Sequence, residues 1–193
     1  QMEKESYKRE FAGDCYGCFE GVYETFIDAR LAAPITKSNN YDSHEQAIWD
    51  LKQLKFHFEE LQSYDYPVLS WMYRICKFTN NNYNILDFGG NVAAQFYAYR
   101  KALPIDFIKK WIVYDLPKIT AVGEEFKRCQ QASELGFTNK IPITDEFNLL
   151  LMLGSIQYVE HATDPSYIIT KFKKKPKYII LNRTPLLCNN EPH

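Results

Sequence analysis

Acidic and glycine residues occur together where a short apolar run of this 193-residue chain ends. Asp87 closes the run, and Gly89 and Gly90 follow it. Because glycine has no Cβ, it lets the backbone approach a ligand closely. A carboxylate beside such a turn attracts hydroxyl and ammonium groups, whereas it repels a phosphate. These residue types predict a small-molecule site whose ligand carries hydroxyls or a positive charge.

A strand, a turn and a helix must position these residues. The hydrophobic pattern predicts a strand over Ile85–Phe88 and an amphipathic helix from about Val92 to Leu103. The helix N-terminus would present unpaired N–H groups and the positive end of its dipole. The dinucleotide fingerprint GxGxxG is missing, since Phe88 stands where its first glycine would be. The pattern therefore favours S-adenosylmethionine, which carries no phosphate, over a dinucleotide.

Further strands and helices alternate along the rest of the chain. The pattern predicts strands over Trp111–Tyr114, Lys140–Ile143, Leu149–Leu153 and Tyr178–Leu181, with helices over residues 118–132 and 165–172. Such alternation predicts an α/β fold, namely a Rossmann-like, doubly wound, mainly parallel sheet with right-handed crossovers. Because the chain ends soon after the fifth predicted strand, we expect further C-terminal strands that it lacks.

A helical lead-in precedes the predicted sheet. Helices are expected over Gly21–Ala33, Tyr41–Ser63 and Pro67–Phe78, and Ser43 with Gln46 has the spacing of a capping box for the second one. The sequence therefore predicts two parts. Residues 1–80 form a helical lead-in or lid, and residues 81–193 form a Rossmann-like core that is incomplete at its C-terminus.

The residues just beyond the strands are the candidates for ligand binding, because ligands of open parallel sheets lie outside the carboxyl ends of the strands. Besides Asp87, Gly89 and Gly90, these are Asn91, Asp115, Gly154 and Ser155. Asp115 could accept two hydrogen bonds from a ribose diol. Singly, a glycine pair is often a tight turn and an acid often a helix N-cap. Both acids and the glycines in one βαβ unit favour a small-molecule site.

Three further polar residues are candidates for contacts with a second substrate. His161 follows the fourth strand and is the best-placed general base, although a solvated loop histidine is the simpler interpretation. Tyr158 precedes it on the same segment. Arg183 follows the fifth strand and could hold an acidic group with its planar guanidinium, or it could pair with a structural acid.

Two motifs in the sequence are interpreted as coincidences. Asp87-Phe88-Gly89 spells the magnesium motif of protein kinases, but the glycine loop, strand lysine and HRD loop of kinases are missing. Cys15 and Cys18 form a CxxC without the second cysteine pair that a structural zinc site needs. We therefore expect no metal site.

Composition limits the partners and the compartment. The formal net charge of −1 provides no basic field for nucleic acid. No apolar run approaches the length of a membrane span, and the N-terminus is charged rather than signal-like. The five cysteines are odd in number and scattered, which favours a reducing, cytoplasmic setting. The sequence leaves the oligomeric state open.

The chain resembles a known family in several separate blocks. Ile85-Leu86-Asp87-Phe88-Gly89-Gly90 looks like motif I of class I S-adenosylmethionine-dependent methyltransferases. More narrowly, the chain resembles a methyltransferase-like family found among bacterial surface-polysaccharide genes. The matching blocks are residues 19–23, 41–42, 86–90, 111–117, 154–158 and 182–186. The family pattern has a further glycine where this chain has Ala93, so we expect a slightly tighter loop.

The resemblance implies S-adenosylmethionine as the cofactor. Asp87 and the Gly89–Gly90 backbone would hold its methionine end, and Asp115 would take the ribose hydroxyls. The first functional hypothesis is a methyltransferase that acts on a sugar or a surface-glycan precursor. A catalytically inactive binding or scaffold protein with the same fold is the second. An NAD-dependent nucleotide-sugar-modifying enzyme is the third, and Phe88 and the single glycine pair argue against it.

Overall fold

The computed structural model describes residues 5–6, 8–9, 11, 13, 21–33, 42–56, 60–78, 83–103, 108–159 and 166–184. The chain divides into two compact units, one of Gln1–Tyr41 with Leu186–His193 and the other of Asp42–Pro185. Within the first unit, helix α1 spans Phe26–Ala32. It begins after Thr25, whose side chain accepts a hydrogen bond of 3.1 Å from the Asp28 N–H, as an N-cap residue does.

The second unit contains the sheet and most of the helices. Its helices are α2 (His44–Phe56), α3 (Asp65–Phe78), α4 (Ala94–Ala102), α5 (Pro117–Gln130) and α6 (Ser166–Ile169), with a 3₁₀ turn over Ile156–Tyr158. Its strands are β1 (Tyr83–Phe88), β2 (Ile108–Tyr114), β3 (Leu135–Thr138), β4 (Leu149–Leu153) and β5 (Tyr178–Asn182).

All neighbouring strands are parallel, and their spatial order is β3-β2-β1-β4-β5. The order reverses between β1 and β4, which is the topological switch point of a doubly wound sheet. The predicted α/β fold with a Rossmann-like parallel sheet is therefore confirmed. Because every strand runs the same way, the segments that follow Phe88, Tyr114, Leu153 and Asn182 meet at one edge.

Two apolar clusters cover the two faces of the sheet. Alternate residues of β1 and β4 point to opposite faces, so Ile85 and Leu151 join one cluster whereas Leu86 and Leu150 join the other. The first cluster includes side chains of α2, α3, α4 and α5, and the second includes Ile168 of α6. Helices on both faces explain why β4 is buried along its whole length.

The third strand was predicted in the wrong place. The structure has β3 at Leu135–Thr138, where it pairs with β2, and residues 140–143 are not a strand. Pro142 lies within the segment predicted to be the strand, and proline cannot donate to a strand ladder. The observed β3 has only four residues and contains Gly136, so its own signal is weak.

Helix ends also differ from the predictions. Helix α2 ends at Phe56 rather than Ser63, although Ser43 does accept the Gln46 N–H at 3.0 Å as the capping pattern predicted. Helix α6 is a single turn and stops before Phe172.

Some predictions fall outside the described residues or reach beyond them. Cys15, Cys18 and His161 lie outside. Helices α2 and α3 belong to the same unit as the sheet, and whether residues 1–80 act as a lid stays a prediction. Among the helices that the structure describes, none is long and apolar enough to cross a membrane.

Candidate functional site

The loop between β1 and α4, Gly89–Ala93, is called the glycine loop here. Three of its residues have positive φ, with 71° at Gly89, 53° at Asn91 and 70° at Ala93. Glycine adopts this left-handed conformation freely and asparagine tolerates it, whereas alanine is strained in it. The further glycine of the family pattern would fit the Ala93 position for this reason. Ala93 therefore holds a backbone conformation that glycine adopts without strain.

Asp87 is buried directly beneath the glycine loop. Its carboxylate is 1% exposed and accepts a hydrogen bond of 3.2 Å from Trp111 Nε1 on the neighbouring strand. Burial raises the pKa of Asp87 to about 7, while the Trp111 hydrogen bond and the positive charge of Arg183 oppose this rise. A Cβ on Gly90 would lie 2.5 Å from the Asp87 Cγ. The backbone of Gly90 is therefore pressed against the carboxyl group.

Asp115 lies at the end of β2, across from the same loop. Its Oδ2 accepts the backbone N–H of Asn91 at 2.8 Å, and its Oδ1 accepts that of Leu116 at 2.7 Å. Burial raises the pKa of Asp115, these two N–H groups lower it, and the carboxylates of Asp50 and Asp42 raise it again. Each oxygen keeps a second lone pair, so the group can still accept two hydroxyl hydrogen bonds.

The segment after β4 packs against the glycine loop. The Ser155 hydroxyl donates a hydrogen bond to the carbonyl of Phe88, and a Cβ on Gly89 would lie 2.3 Å from the Ser155 Cβ. Gly154 has a φ of 80° and lies against Arg183. The structure thus brings Gly89, Gly154 and Ser155 together at the switch point between β1 and β4, as the strand order requires.

The structure describes two of the three residues that were predicted to contact a second substrate. Arg183 Nη2 donates to the Leu153 carbonyl at 2.7 Å, and its guanidinium lies 4.8 Å from the centre of the Tyr64 ring. Its remaining N–H groups can still face a ligand, since guanidinium carries five. Tyr158 is 46% exposed on the 3₁₀ turn after β4. His161 lies outside the described residues.

Sequence reasoning did not find two polar residues that contact the site. Trp111 was expected in a strand and in a block that resembles the family, and Asp50 in a helix, but neither was expected at the site. Asp50 accepts a hydrogen bond of 2.9 Å from the Asn91 side chain. The signal for Asp50 was available, because it shares the inward face of α2 with Ala47 and Leu54. An acid on a buried helix face needs a polar partner.

A cavity of about 380 Å³ lies elsewhere in this unit, between α3 and β5. Its lining comes from Trp71, Arg74, Ile75, Phe78 and residues 178–181. These β5 residues line it along the strand rather than beyond its carboxyl end, so the cavity does not belong to the site at the switch point. The candidate site is at the switch point, where polar groups and glycines converge. Such groups can bind a ligand through hydrogen bonds and charge, which an apolar cleft cannot provide.

The site combines two acids, two glycine-containing turns and a buried indole donor. Asp87 is the last residue but one of β1, Asp115 directly follows the adjacent strand β2, and the N–H of Asn91 joins the loop to Asp115. Two carboxylates favour hydroxyl and cationic groups and disfavour phosphate. Among the described residues, no group of three His, Cys, Asp or Glu side chains is placed to hold a metal ion.

Similarity to known proteins is found among solved structures. No protein-family model and no curated protein matches the chain. Human N-acetylserotonin methyltransferase in complex with S-adenosylmethionine is 15% identical, with a TM-score of 0.47 over 92% of this chain and 46% of that chain. A proposed S-adenosyl-L-methionine-dependent methyltransferase from Methanococcus maripaludis is 12% identical, with a TM-score of 0.44 over 72% of this chain and 63% of that one.

An O-methyltransferase family 2 protein from Planctomyces limnophilus, in complex with apigenin, is 14% identical, with a TM-score of 0.44. The match covers 73% of this chain and 45% of that chain. The present chain thus spans between 45% and 63% of the length of these three proteins.

Proposed function

We propose that this chain binds S-adenosylmethionine at the switch point between β1 and β4 and transfers its methyl group to a small acceptor. One observation carries the proposal. Asp87 and Asp115 lie at the carboxyl ends of the adjacent strands β1 and β2, on either side of a glycine loop whose Asn91 N–H donates to Asp115. These two hydrogen-bond acceptors suit a ligand with a ribose diol and positive charges, and they do not suit a phosphate.

Each acid has a distinct role in the proposed site. Asp115 accepts the ribose hydroxyls with the lone pairs that the Asn91 and Leu116 N–H groups leave unused. Asp87 faces the ammonium end of the ligand, which would stabilise the ionised form of a carboxyl group whose pKa burial has raised to about 7. The missing Cβ atoms of Gly89 and Gly90 leave room for Ser155 and for the Asp87 carboxyl group, so the loop backbone can lie directly over this acid.

When bound, S-adenosylmethionine supplies a methyl group on a sulfonium that is already activated for in-line displacement. The chain therefore contributes mainly by orienting the acceptor and excluding water. Transfer to an oxygen also needs a base, and we propose His161 for this role because it follows β4. Tyr158 and Arg183 would contact the acceptor beside it.

For the acceptor we propose a sugar or a surface-glycan precursor, in a cytoplasmic setting. The side chains at this edge support a polar, ring-shaped substrate. Tyr64 and Tyr158 are 41% and 46% exposed and offer flat apolar faces with a polar tip. The Arg183 guanidinium, stacked 4.8 Å from the Tyr64 ring, could hold an acidic substituent.

A binding or scaffold protein of the same fold is the second candidate. It is favoured by exposed tyrosines such as Tyr66 and Tyr73, which are 60% and 45% exposed and could form a surface for a protein partner. Such a protein would bind S-adenosylmethionine or its demethylated product without turnover. The NAD-dependent alternative is disfavoured, because Phe88 stands where the first glycine of GxGxxG would be and the loop has only a single glycine pair.

Calorimetric titration of S-adenosylhomocysteine into the wild type and Asp115→Ala tests the cofactor site. We expect the substitution to weaken binding at least tenfold, because two hydrogen bonds worth about 1 kcal/mol each are lost. Glu125→Ala is the matched control, since Glu125 is an exposed acid on α5, and its affinity should equal that of the wild type. Equal affinity of Asp115→Ala and wild type would remove the basis of the proposal.

Turnover separates the two candidate functions. The chain is incubated with S-adenosylmethionine and a panel of nucleotide sugars, and release of S-adenosylhomocysteine is measured. Release that depends on one acceptor class, and that His161→Ala lowers at least 100-fold, supports the methyltransferase and its base. Cofactor binding without release for any acceptor supports the binding protein.

A further inference from the structure

Asn91 lies between two carboxylates that come from different elements. Its backbone N–H donates to Asp115 Oδ2 at 2.8 Å, and its side-chain Nδ2 donates to Asp50 Oδ2 at 2.9 Å. Asp50 raises the pKa of Asp115 through its negative charge, so the two acids repel each other across the loop. A neutral residue that donates to both acids offsets this repulsion. Asparagine can donate from its backbone and its side chain at once.

Asn91 also sets the course of the glycine loop. Its φ of 53° places it in the left-handed region, which asparagine tolerates better than other side chains that have a Cβ. Its Oδ1 accepts the backbone N–H of Val92 at 2.8 Å. The side chain of Asn91 therefore has its oxygen and its nitrogen both engaged. The orientation of this amide depends on Asp50, because Asp50 is the acceptor for Nδ2.

Asp50 is itself held in place by helix α2. Gln46, one turn earlier, donates from Nε2 to Asp50 Oδ1 at 3.0 Å. Ala47 and Leu54 on the same face are buried, and α2 packs against α5. The Asp50 carboxylate thus contacts the glycine loop from a packed helix and not from a second loop. Buried helix faces fix side-chain positions well.

We propose that Asp50 is a positioning residue of the site, which holds the glycine loop in its ligand-binding conformation through the side chain of Asn91. Its relevance to the cofactor rests on the proposed function, whereas its effect on the loop does not. The role is that of a hydrogen-bond acceptor. Asp50→Asn keeps an acceptor oxygen for Asn91 Nδ2 but loses the charge, and Asp50→Ala loses both.

The first test is amide hydrogen exchange of residues 89–93 in the 193-residue chain without ligand. We expect Asp50→Ala to speed exchange in this loop about tenfold or more, and Asp50→Asn to stay within about threefold of the wild type. Glu45→Ala removes an exposed acid from the first turn of the same helix and should leave the loop unchanged. Unchanged exchange in Asp50→Ala, or equal effects of all three substitutions, would overturn the proposal.

Combining substitutions at Asp50 and Asn91 distinguishes the loss of one contact from a general loss of stability. Asn91→Gly keeps the left-handed backbone but removes the side chain that binds Asp50. If the contact carries the effect, adding Asp50→Ala to Asn91→Gly should change nothing further, and the double variant should exchange at the rate of Asn91→Gly alone. If the effects of the two substitutions on the exchange rate multiply, the residues act independently. This result would contradict the positioning role of Asp50. If Asp50→Ala is partly unfolded, Asn91→Gly still tests the contact, because it removes the same hydrogen bond and leaves helix α2 unchanged.

Titration of S-adenosylhomocysteine into the same variants links the loop to the ligand. We expect about tenfold weaker binding for Asp50→Ala, near wild-type binding for Asp50→Asn, and no change for Glu45→Ala. Equal losses in Asp50→Ala and Asp50→Asn would mean that charge matters and hydrogen bonding does not, which contradicts the proposal. If the wild type binds no ligand, the proposed function fails, and the exchange measurements still decide the role of Asp50.

Discussion

Gly90 has no room for a side chain, which predicts a sharp effect of a single methyl group. In Gly90→Ala, the new Cβ would lie 2.5 Å from Cγ and Oδ2 of the buried Asp87. We expect the carboxyl group to shift, with a loss of about 1–3 kcal/mol in the free energy of unfolding. Binding of S-adenosylhomocysteine should fall as well. Urea unfolding and calorimetric titration measure the two effects.

Gly136→Ala is the matched control for this substitution. A Cβ there would meet only the Cδ1 of Ile112 within 4 Å, at 2.7 Å. That methyl group ends a flexible side chain and can rotate away. A loss of stability and affinity as large as in Gly90→Ala would mean that any added Cβ is harmful, and the contact of Gly90 with Asp87 would not be special.

The buried carboxyl of Asp87 should make stability depend on pH. Burial raises its pKa from 3.8 to about 7. The folded chain therefore binds a proton that the unfolded chain releases between these values, so the contribution of Asp87 falls as the pH rises from about 4 to about 7. In Asp87→Asn, this decline should disappear. From about pH 4 to about pH 7, the difference in the free energy of unfolding between the wild type and Asp87→Asn should change by on the order of a few kcal/mol.

Urea unfolding of the wild type and Asp87→Asn at several pH values between 4.5 and 8 measures this difference. Asp115 keeps its burial in both proteins, and its charge is one of the causes that raise the pKa of Asp87 in the wild type. Parallel stability profiles would contradict the assignment of a raised pKa to Asp87.

At the residue scale, the sequence predicted the acids and glycines but not what holds them. Asp87, Gly89 and Asp115 follow apolar runs, and such local patterns are visible along the chain. Asp50 and Asn91 are 41 positions apart, and Trp111 lies 24 positions beyond Asp87. No local pattern specifies such contacts, because they depend on which elements pack together.

Strand β4 carries an element-scale prediction, since it is central in the sheet and buried on both faces. Leu151→Ala should lower the free energy of unfolding by about 2–5 kcal/mol, because it leaves a cavity in the core. Leu181→Ala on the edge strand β5 removes the same atoms from a side chain that is 46% exposed. Its cost in chemical unfolding should be well under half as large, and equal costs would contradict the observed strand order.

Element prediction succeeded where the apolar signal is long and uninterrupted. The bounds of β4 were predicted correctly, because five consecutive apolar residues fit a strand that helices cover on both faces. It failed for β3, where a four-residue strand containing Gly136 competes with the apolar pair of Ile141 and Ile143. The single turn of α6 was predicted too long, since its C-terminal neighbour Phe172 is apolar and buried without being helical.

At the scale of the whole molecule, the strand order explains why residues distant in sequence form one site. Alternating strands and helices predicted parallel strands, and parallel strands bring their carboxyl ends to one edge. The acceptor cannot be predicted in the same way, because its contacts depend on individual side chains at that edge. His161 keeps the role of a proposed base.

The prediction that residues 1–80 form a helical lead-in or lid leads to an experiment at the scale of the whole molecule. If it closes over the site, S-adenosylhomocysteine should protect these residues from limited proteolysis. Cleavage sites are identified by mass spectrometry with and without the ligand. Protection in both conditions would mean that the lead-in only flanks the sheet.

Calorimetric titration of the wild-type chain with S-adenosylmethionine, S-adenosylhomocysteine and NAD tests the central claim most directly. The site has two acids and a glycine loop at the switch point, so we predict micromolar binding of the first two ligands and none of NAD. Preferential binding of NAD, or binding of none of the three, would contradict the proposed cofactor.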